Sequence, residues 1–227
     1  MGVLDVLFPK HCIGCRKSGE YLCSNCFSQI SFVTESTCTI CNKPTPNGKT
    51  HPQCFTADRL SGTFCAIKYR RIARKLIYQL KYSPYLTDLL PILGDFLEEA
   101  LVQNEVFMQI LQKNPVLVPI PLSNARLRKR GYNHAALLAK TLGKRFSLEV
   151  VDMVKRIKET KPQFGLTREE RAKNMQGAFE LKKHVEQHKT VILVDDVLTT
   201  GSTCNEAAKV LKQHGAGEVW GVALCQD

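Results

Sequence analysis

The stretch Val191-Ile192-Leu193-Val194-Asp195-Asp196-Val197-Leu198-Thr199-Thr200-Gly201-Ser202-Thr203 decides the fold. Its first four residues are apolar and mostly β-branched, which is the pattern of a strand buried on both faces of a parallel sheet. Two carboxylates, Asp195 and Asp196, follow where such a strand ends. Thr199 to Thr203 then forms a small, hydroxyl-rich turn. Beyond it, Ala207, Val210 and Leu211 fall on one helical face. A strand, a tight turn and a helix start make an anion site, because unpaired backbone N–H groups and the positive helix end converge there and the hydroxyls add donors. Gly201 lets the backbone approach a ligand closely. The carboxylates cannot bind phosphate. They suit sugar hydroxyls, or a divalent cation held together with the phosphate. Capping and turn chemistry accounts for any one of these parts, but less readily for their combination.

The motif resembles the phosphoribosyl pyrophosphate (PRPP) signature of type I phosphoribosyltransferases: apolar strand, two acids, two residues, then Thr-Thr-Gly-x-Thr. Asp195, Asp196, Thr199, Thr200, Gly201, Ser202 and Thr203 are the expected PRPP-binding residues.

Upstream, Val116 to Ile120 reads as a strand that runs into residues 121–133, Pro-Leu-Ser-Asn-Ala-Arg-Leu-Arg-Lys-Arg-Gly-Tyr-Asn. Arg126, Arg128, Lys129 and Arg130 stand beside a glycine and an aromatic. That composition suits a loop that holds pyrophosphate or a nucleic-acid backbone, with Tyr132 available to stack. A solvated basic loop is the plainer reading of the same residues. His134 to Phe146 returns to helical spacing. Thr63 to Ile67 and Val219 to Leu224 read as further strands. Arg71 to Lys81 reads as a basic amphipathic helix, and Leu86 to Leu111 as a helical stretch that Pro91 breaks or starts. Val154 to Phe179, including Lys161 to Phe164, has weak periodicity and many donors, and reads as a mobile flap beside a site.

The first quarter is different. Cys12-x2-Cys15, Cys23-x2-Cys26, Cys38-x2-Cys41 and His51-x2-Cys54 have the spacing of zinc knuckles, each supplying two soft ligands from one turn. Pairing in sequence gives two quartets: Cys12, Cys15, Cys23, Cys26, and Cys38, Cys41, His51, Cys54. A cross-braced pairing uses the same residues. With four protein ligands each, neither site keeps a position open for catalysis, so zinc here is structural, and the module is scaffold or interaction surface. Cys65, Cys204 and Cys225 read as small core residues.

The chain has 227 residues, 32 Lys and Arg against 21 Asp and Glu, and a formal charge of +11. That length holds a medium domain and a small one, and the boundary is expected at residue 60: 1–60 zinc-binding, 61–227 the α/β unit. The charge points to an anionic partner, though a basic soluble surface has the same balance. No run of about twenty apolar residues occurs, which excludes a membrane-spanning helix. The start, MGVLDVLFPKHC, lacks a secretory signal, and paired cysteines without one point to metal in a reducing cytoplasm. Val3, Leu4, Leu7 and Phe8 are expected to form a short apolar turn that docks on the body.

Taken in order, the doubled cysteine quartets, Pro119-Ile120-Pro121 leading to Arg130-Gly131-Tyr132-Asn133, the later Arg156, Thr160, Gln163, Leu166, Arg171, Asn174 and Phe179, and the Asp-Asp-x-x-Thr-Thr-Gly-x-Thr site resemble the ComF family over nearly the whole chain. The resemblance implies an α/β fold: a type I phosphoribosyltransferase-like parallel sheet preceded by a small double zinc-ribbon-like module. It implies a competence protein for DNA uptake that binds single-stranded DNA on the cytoplasmic side, in the cytoplasm or at the inner face of the membrane. Its partners would include a helicase or channel component of the uptake machinery. It also implies that Asp195 and Asp196 meet ribose hydroxyls and oxygens linked to Mg2+, while Thr199 to Thr203 hold the 5-phosphate. The alternative is a phosphoribosyltransferase that moves the phosphoribosyl group from PRPP to an acceptor the sequence does not name. Tyr132 stands where the family usually has Phe, and Asn133-His134 where it often has Asn-Gln.

Overall fold

In the computed structural model, which describes residues 9–82, 89–160, 165–184 and 186–227, the long apolar runs become one parallel sheet. In chain order the strands are β1 (Ser36–Thr37), β2 (Pro44–Thr45), β3 (Gly62–Lys68), β4 (Val116–Pro119), β5 (Val154–Arg156), β6 (Phe179–Leu181), β7 (Val191–Leu198) and β8 (Val219–Gln226). The sheet order is β3-β8-β7-β4, with every neighbour parallel. Every residue of β8 is buried, as a strand covered on both faces requires.

The helices are α1 (Ser24–Phe27), α2 (Arg71–Tyr82), α3 (Leu89–Val102), α4 (Glu105–Leu111), α5 (Asn124–Arg130), α6 (His134–Phe146), α7 (Arg168–Met175) and α8 (Ser202–Gln213). Side chains alternate across β7 and so divide the core. Ile192 and Val194 pack with Leu76, Leu97, Phe107 and Leu138 of α2, α3, α4 and α6. Val191 and Leu193 face Ala207, Ala208 and Leu211 of α8, with Met175 and Phe179.

Several local expectations change. The helical stretch to Leu111 is two helices, because the Asn104 side chain accepts a hydrogen bond from Phe107 N at 3.1 Å and caps α4. Pro91 sits in the first turn of α3, where its missing N–H costs little. The basic loop contains the helix α5. Gly131 ends it with φ +78°, donating its N–H to Leu127 O at 2.7 Å, and Arg128, Lys129 and Arg130 complement the negative helix end. The segment read as a flap is built: β5 and β6 pair antiparallel, and α7 lies between them behind a Thr167–Glu170 capping box. Cys204 and Cys225 are buried, whereas Cys65 is only partly covered. The apolar turn expected at Val3, Leu4, Leu7 and Phe8, and the flap residues Lys161 to Phe164, lie outside the described residues, as does Leu86.

The cysteine-rich segment covers the outer edge of β3. Val33 N donates to Ala66 O at 2.9 Å, Lys68 N donates to Ser31 O at 2.7 Å, and Lys49 bridges Gly62. Among the described residues no helix is long and apolar enough to cross a membrane.

Candidate functional site: a cationic cleft over a carboxylate pair

β4 pairs with β7 only as far as Pro119 opposite Val194. From Asp195 to Leu198, β7 has β8 on one side and, among the described residues, no strand on the other, and a crevice opens there, at the carboxyl ends of parallel strands. The two acids therefore lie inside β7, not after it, because pairing with β8 continues to Leu198↔Gln226.

The cavity in this crevice, about 560 Å³, is lined by Asp195, Asp196, Thr199, Gly201, Ser202 and Thr203 from one side. Lys81, Arg126, Lys129, Arg130, Arg156 and Arg171 line it from the others. Three predicted residues are not on its wall. Thr200 is turned to the Ser202 hydroxyl, at 2.7 Å. Arg128 is exposed on the outside of α5. Tyr132 is not a free stacking platform: its hydroxyl donates to Leu80 O at 2.5 Å and ties the α5–α6 turn to α2. The exposed aromatic at the cleft is Tyr82, with the Arg130 guanidinium 5.2 Å from its ring centre.

Sequence reasoning missed two residues here. Lys81 Nζ is 2.6 Å from Asp196 Oδ2, and His134 Nε2 is 3.5 Å from the same oxygen. Lys81 lies in the last turn of α2, and His134 is placed by a cap. The Asn133 side chain accepts from Ala135 N at 3.1 Å to start α6, and donates to Ile120 O at 3.0 Å at the end of β4. His134 is thereby the first helical residue, aimed at β7. Arg130 Nη1 lies 3.2 Å from His134 Nδ1, which completes a chain Arg130–His134–Asp196–Lys81. The available signal for Lys81 was its place at the polar end of a helix that follows an edge strand.

The two carboxyls are driven apart. Burial and the neighbouring Asp196 charge raise Asp195 well above the ordinary carboxylate range. Burial also opposes ionisation of Asp196, but Lys81 and His134 outweigh it and hold Asp196 below that range. For Lys81, burial favours the neutral amine, yet Asp196 outweighs it and raises the pKa. Arg156 is pushed down to about 10 by burial and by the Arg126 charge. It is held by Thr160 Oγ1 and by Lys158 O at 3.4 Å, and its guanidinium lies 5.8 Å from the Phe179 ring centre. Two guanidiniums are thus kept close together facing the cavity, an arrangement that an anion relieves.

A larger groove, about 1420 Å³, runs between the cysteine-rich segment and α3. Its lining includes Glu20, Glu35, Asp95 and Glu99 and, among the described residues, no Lys or Arg. Its charge makes it the wrong place for a phosphate, whereas the smaller cleft is lined by cations.

The cysteines assemble as two quartets paired in sequence. In each of the sets Cys12, Cys15, Cys23, Cys26 and Cys38, Cys41, His51, Cys54, the donor atoms all lie within 4.8 Å of one another. The donor sets fit zinc. Burial opposes the Cys12 thiolate, but the N–H groups of Cys23, Cys15 and Gly14 bring its pKa down to about 6. The N–H of Lys43 and the His51 side chain bring Cys41 to about 6 as well, against burial. His51 Nε2 lies 3.0 Å from Pro44 O, a hydrogen bond that leaves Nδ1 for the metal, 3.2 Å from Cys41 Sγ. In the remaining group of this kind, His134, Asp195 and Asp196, Asp196 is already paired with Lys81, and Asp195 has no cation at contact distance among the described residues.

A parallel sheet with an acid pair and a hydroxyl-rich turn at its carboxyl edge, joined to paired zinc knuckles, defines a phosphoribosyltransferase-like protein with a double zinc ribbon. Residues 3–55 match the double zinc ribbon domain, and residues 101–227 match the phosphoribosyl transferase domain. Competence protein F of Haemophilus influenzae is 42% identical over 112 residues, 47% of this chain and 49% of that one, so the match spans about half of that relative. The DNA utilization protein YhgH of Escherichia coli K12 is 29% identical over 90% of this chain and 96% of its own length. Competence protein ComFC of Bacillus subtilis is 27% identical over 88% and 81%. The chain belongs to the phosphoribosyl transferase domain family and, within it, to the ComF group.

Proposed function

We propose that this chain is a competence protein that handles single-stranded DNA during uptake, and that its cleft binds a phosphorylated ribose of the PRPP type. One observation carries the reading: Lys81, Arg126, Lys129, Arg130, Arg156 and Arg171 converge on the cavity that Asp195 and Thr199 to Thr203 line. A 5-phosphate fits the turn at the start of α8, where the N–H groups of an opening helix meet the Thr199, Ser202 and Thr203 hydroxyls. The ribose hydroxyls fall to the acids. The arginine wall takes further phosphates, from a pyrophosphate or from successive nucleotides, and Tyr82 offers a face on which a base stacks. The names of the Haemophilus and Bacillus relatives support the competence role, and the YhgH name supports DNA handling. Work beside an uptake helicase or channel, on the cytoplasmic side, follows from that role, with residues 1–60 as the zinc-binding module and 61–227 as the ligand-binding domain.

Mg2+ would be held through Asp195, whose carboxyl has no cation at contact distance among the described residues, and would neutralise pyrophosphate oxygens. A labelled oligonucleotide tests the DNA reading by fluorescence anisotropy at two salt concentrations. Binding that falls steeply with salt is expected, and absence of binding at low salt overturns it. Calorimetry with PRPP and Mg2+ tests the ribose site, with Asp195→Asn plus Asp196→Asn expected to abolish the heat.

The second reading, transfer of phosphoribosyl from PRPP, draws on the same Asp195–Asp196 pair. The chain's own contribution would be orientation by the acids and charge neutralisation by the arginines, with water excluded by the helix α7 that carries Arg171. Pyrophosphate release with an added acceptor is the measurement that distinguishes an enzyme from a binder.

A further inference from the structure

The second zinc quartet touches the turn that the first does not. Thr39 lies within the Cys38–Cys41 knuckle and is buried, 8% exposed. Its side chain packs on Gly201, the left-handed residue at φ +72° that caps α8. A Cβ on Gly201 would lie 2.7 Å from Thr39 Cβ and 2.8 Å from Thr39 Cγ2, so the glycine exists there partly to admit the threonine. Asn205, in the first turn of α8, donates to Thr39 Oγ1 at 3.4 Å and accepts from Leu60 N at 3.4 Å. The Thr39 carbonyl accepts from Arg168 of α7, the helix whose Arg171 lines the cleft. Two residues earlier, Thr37 Oγ1 accepts from Gln226 Nε2 at 2.6 Å, at the end of β8.

We propose that the second zinc knuckle is a positioning element for the ligand site, with Thr39 as the positioning residue that fixes the Thr199–Thr203 turn. Zinc bound by Cys38, Cys41, His51 and Cys54 sets the shape of the knuckle. The knuckle sets Thr39, and Thr39 holds Gly201, Asn205 and Arg168 in register. The metal has no role in chemistry at the cleft. It supplies rigidity to a turn whose N–H groups must point at one place before a phosphate arrives, and preorganisation of that kind raises affinity without adding a contact. Among the described residues the first quartet has no such connection. Gly14 of its first knuckle packs against Ile72 and receives the Lys75 ammonium at 2.7 Å, both on α2.

The consequence for PRPP rests on the ribose-phosphate reading, but the consequence for the turn does not, and the experiment has an arm for each. Zinc content, melting temperature and amide hydrogen exchange of residues 199–205 are measured for the full chain and for Cys41→Ser, Cys15→Ser and Thr39→Gly. Cys41→Ser is expected to lose one zinc and to expose those amides about tenfold, a difference of about 1.4 kcal/mol. Cys15→Ser is expected to lose one zinc and leave them protected. Thr39→Gly is expected to keep both zincs and the melting temperature while exchange at 199–205 rises, and PRPP binds about tenfold more weakly by calorimetry. Thr39→Val keeps the packed methyl but loses the hydrogen bond from Asn205, and is expected to fall between wild type and Thr39→Gly.

A size swap separates positioning from general damage. Gly201→Ala alone should weaken PRPP binding, and adding Thr39→Gly, which removes the two atoms the new Cβ would strike, should restore part of it. Unchanged exchange in both Cys41→Ser and Thr39→Gly overturns the proposal, as does equal exposure in Cys15→Ser. If wild type binds no PRPP, the ribose-phosphate reading falls, while the exchange arm still decides whether the knuckle holds the turn.

Discussion

The two zinc ribbons use similar ligand sets, four cysteines in one and three cysteines with His51 in the other, and differ in what they hold. The first is sunk into the body. Cys12, Cys23, Cys26, Leu22 and Ile30 belong to the main apolar cluster with Ile72 and Leu76, and Phe27 stacks on Phe96 of α3 at 5.9 Å. The second sits over the carboxyl edge of the sheet, on Gly201 and beneath Arg168. Equivalent metal sites can therefore serve separate ends. One acts as a core for a segment too small to have its own, while the other orders a turn whose N–H groups would otherwise wander.

The contrast breaks most visibly at the first ribbon. Cys26→Ser removes a buried ligand from a packed cluster and should cost 4 kcal/mol or more, about the loss of a structural metal. Circular dichroism melts should show it, and a melt like wild type would mean that the ribbon is an ornament. Next is Asp196→Asn, which probes the connection between the first ribbon's helix and the cleft. α2 packs on that ribbon and carries, in its last turn, Lys81, whose ammonium would be left buried without its partner. The expected loss is about 3 kcal/mol, read from urea midpoints.

That pair also gives a pH signature. The Asp196 carboxyl has a lower pKa folded than unfolded, so its stabilisation is complete above its ordinary value of 3.8 and fades as pH falls below it. Lys81 is raised, so its contribution holds below 10.5 and fades only in stronger alkali. Wild type should therefore lose stability below about pH 4 more steeply than Asp196→Asn, and parallel curves would contradict the pairing.

Smaller again is Gly201→Ala, where positive φ and contact with Thr39 together should cost about 2 kcal/mol, measured as a melting shift. Smallest is Lys75→Met, which removes an exposed contact to Gly14 O. A change under about 0.5 kcal/mol is expected, and a larger one would mean that the first ribbon depends on this single contact.

Much of this was legible from the chain alone. Strands announced themselves where they are buried on both faces, as at Val191 to Val194, because apolar runs have no other use in a parallel sheet. The zinc quartets were legible because two knuckles fix four ligands locally. The cleft was half legible. Asp195, Asp196 and Thr199 to Thr203 are contiguous, but Lys81 and His134 come from α2 and α6 and meet Asp196 only through the packing of both helices on β7. No local pattern encodes that. Residues 121–133 misled for a different reason. Their charge outweighed a helix signal lodged in Gly131, so the side of α5 that faces the cavity could not be told from the side that faces water. Arg126 and Arg130 went in, and Arg128 went out.

The extended segment laid along β3 by residues 31–33 has a consequence for self-association. β3 is the outermost strand of a parallel sheet, and such a strand is a template for any other extended chain. Here its outward N–H and C=O groups near Ala66 and Lys68 are met by Val33 and Ser31, and Gly62 by Lys49. The metal-bound segment is therefore also a guard on the sheet. A cut between Leu60 and Ser61 would leave the α/β unit with its ligand cleft and a bare adhesive edge, inviting edge-to-edge pairing between copies.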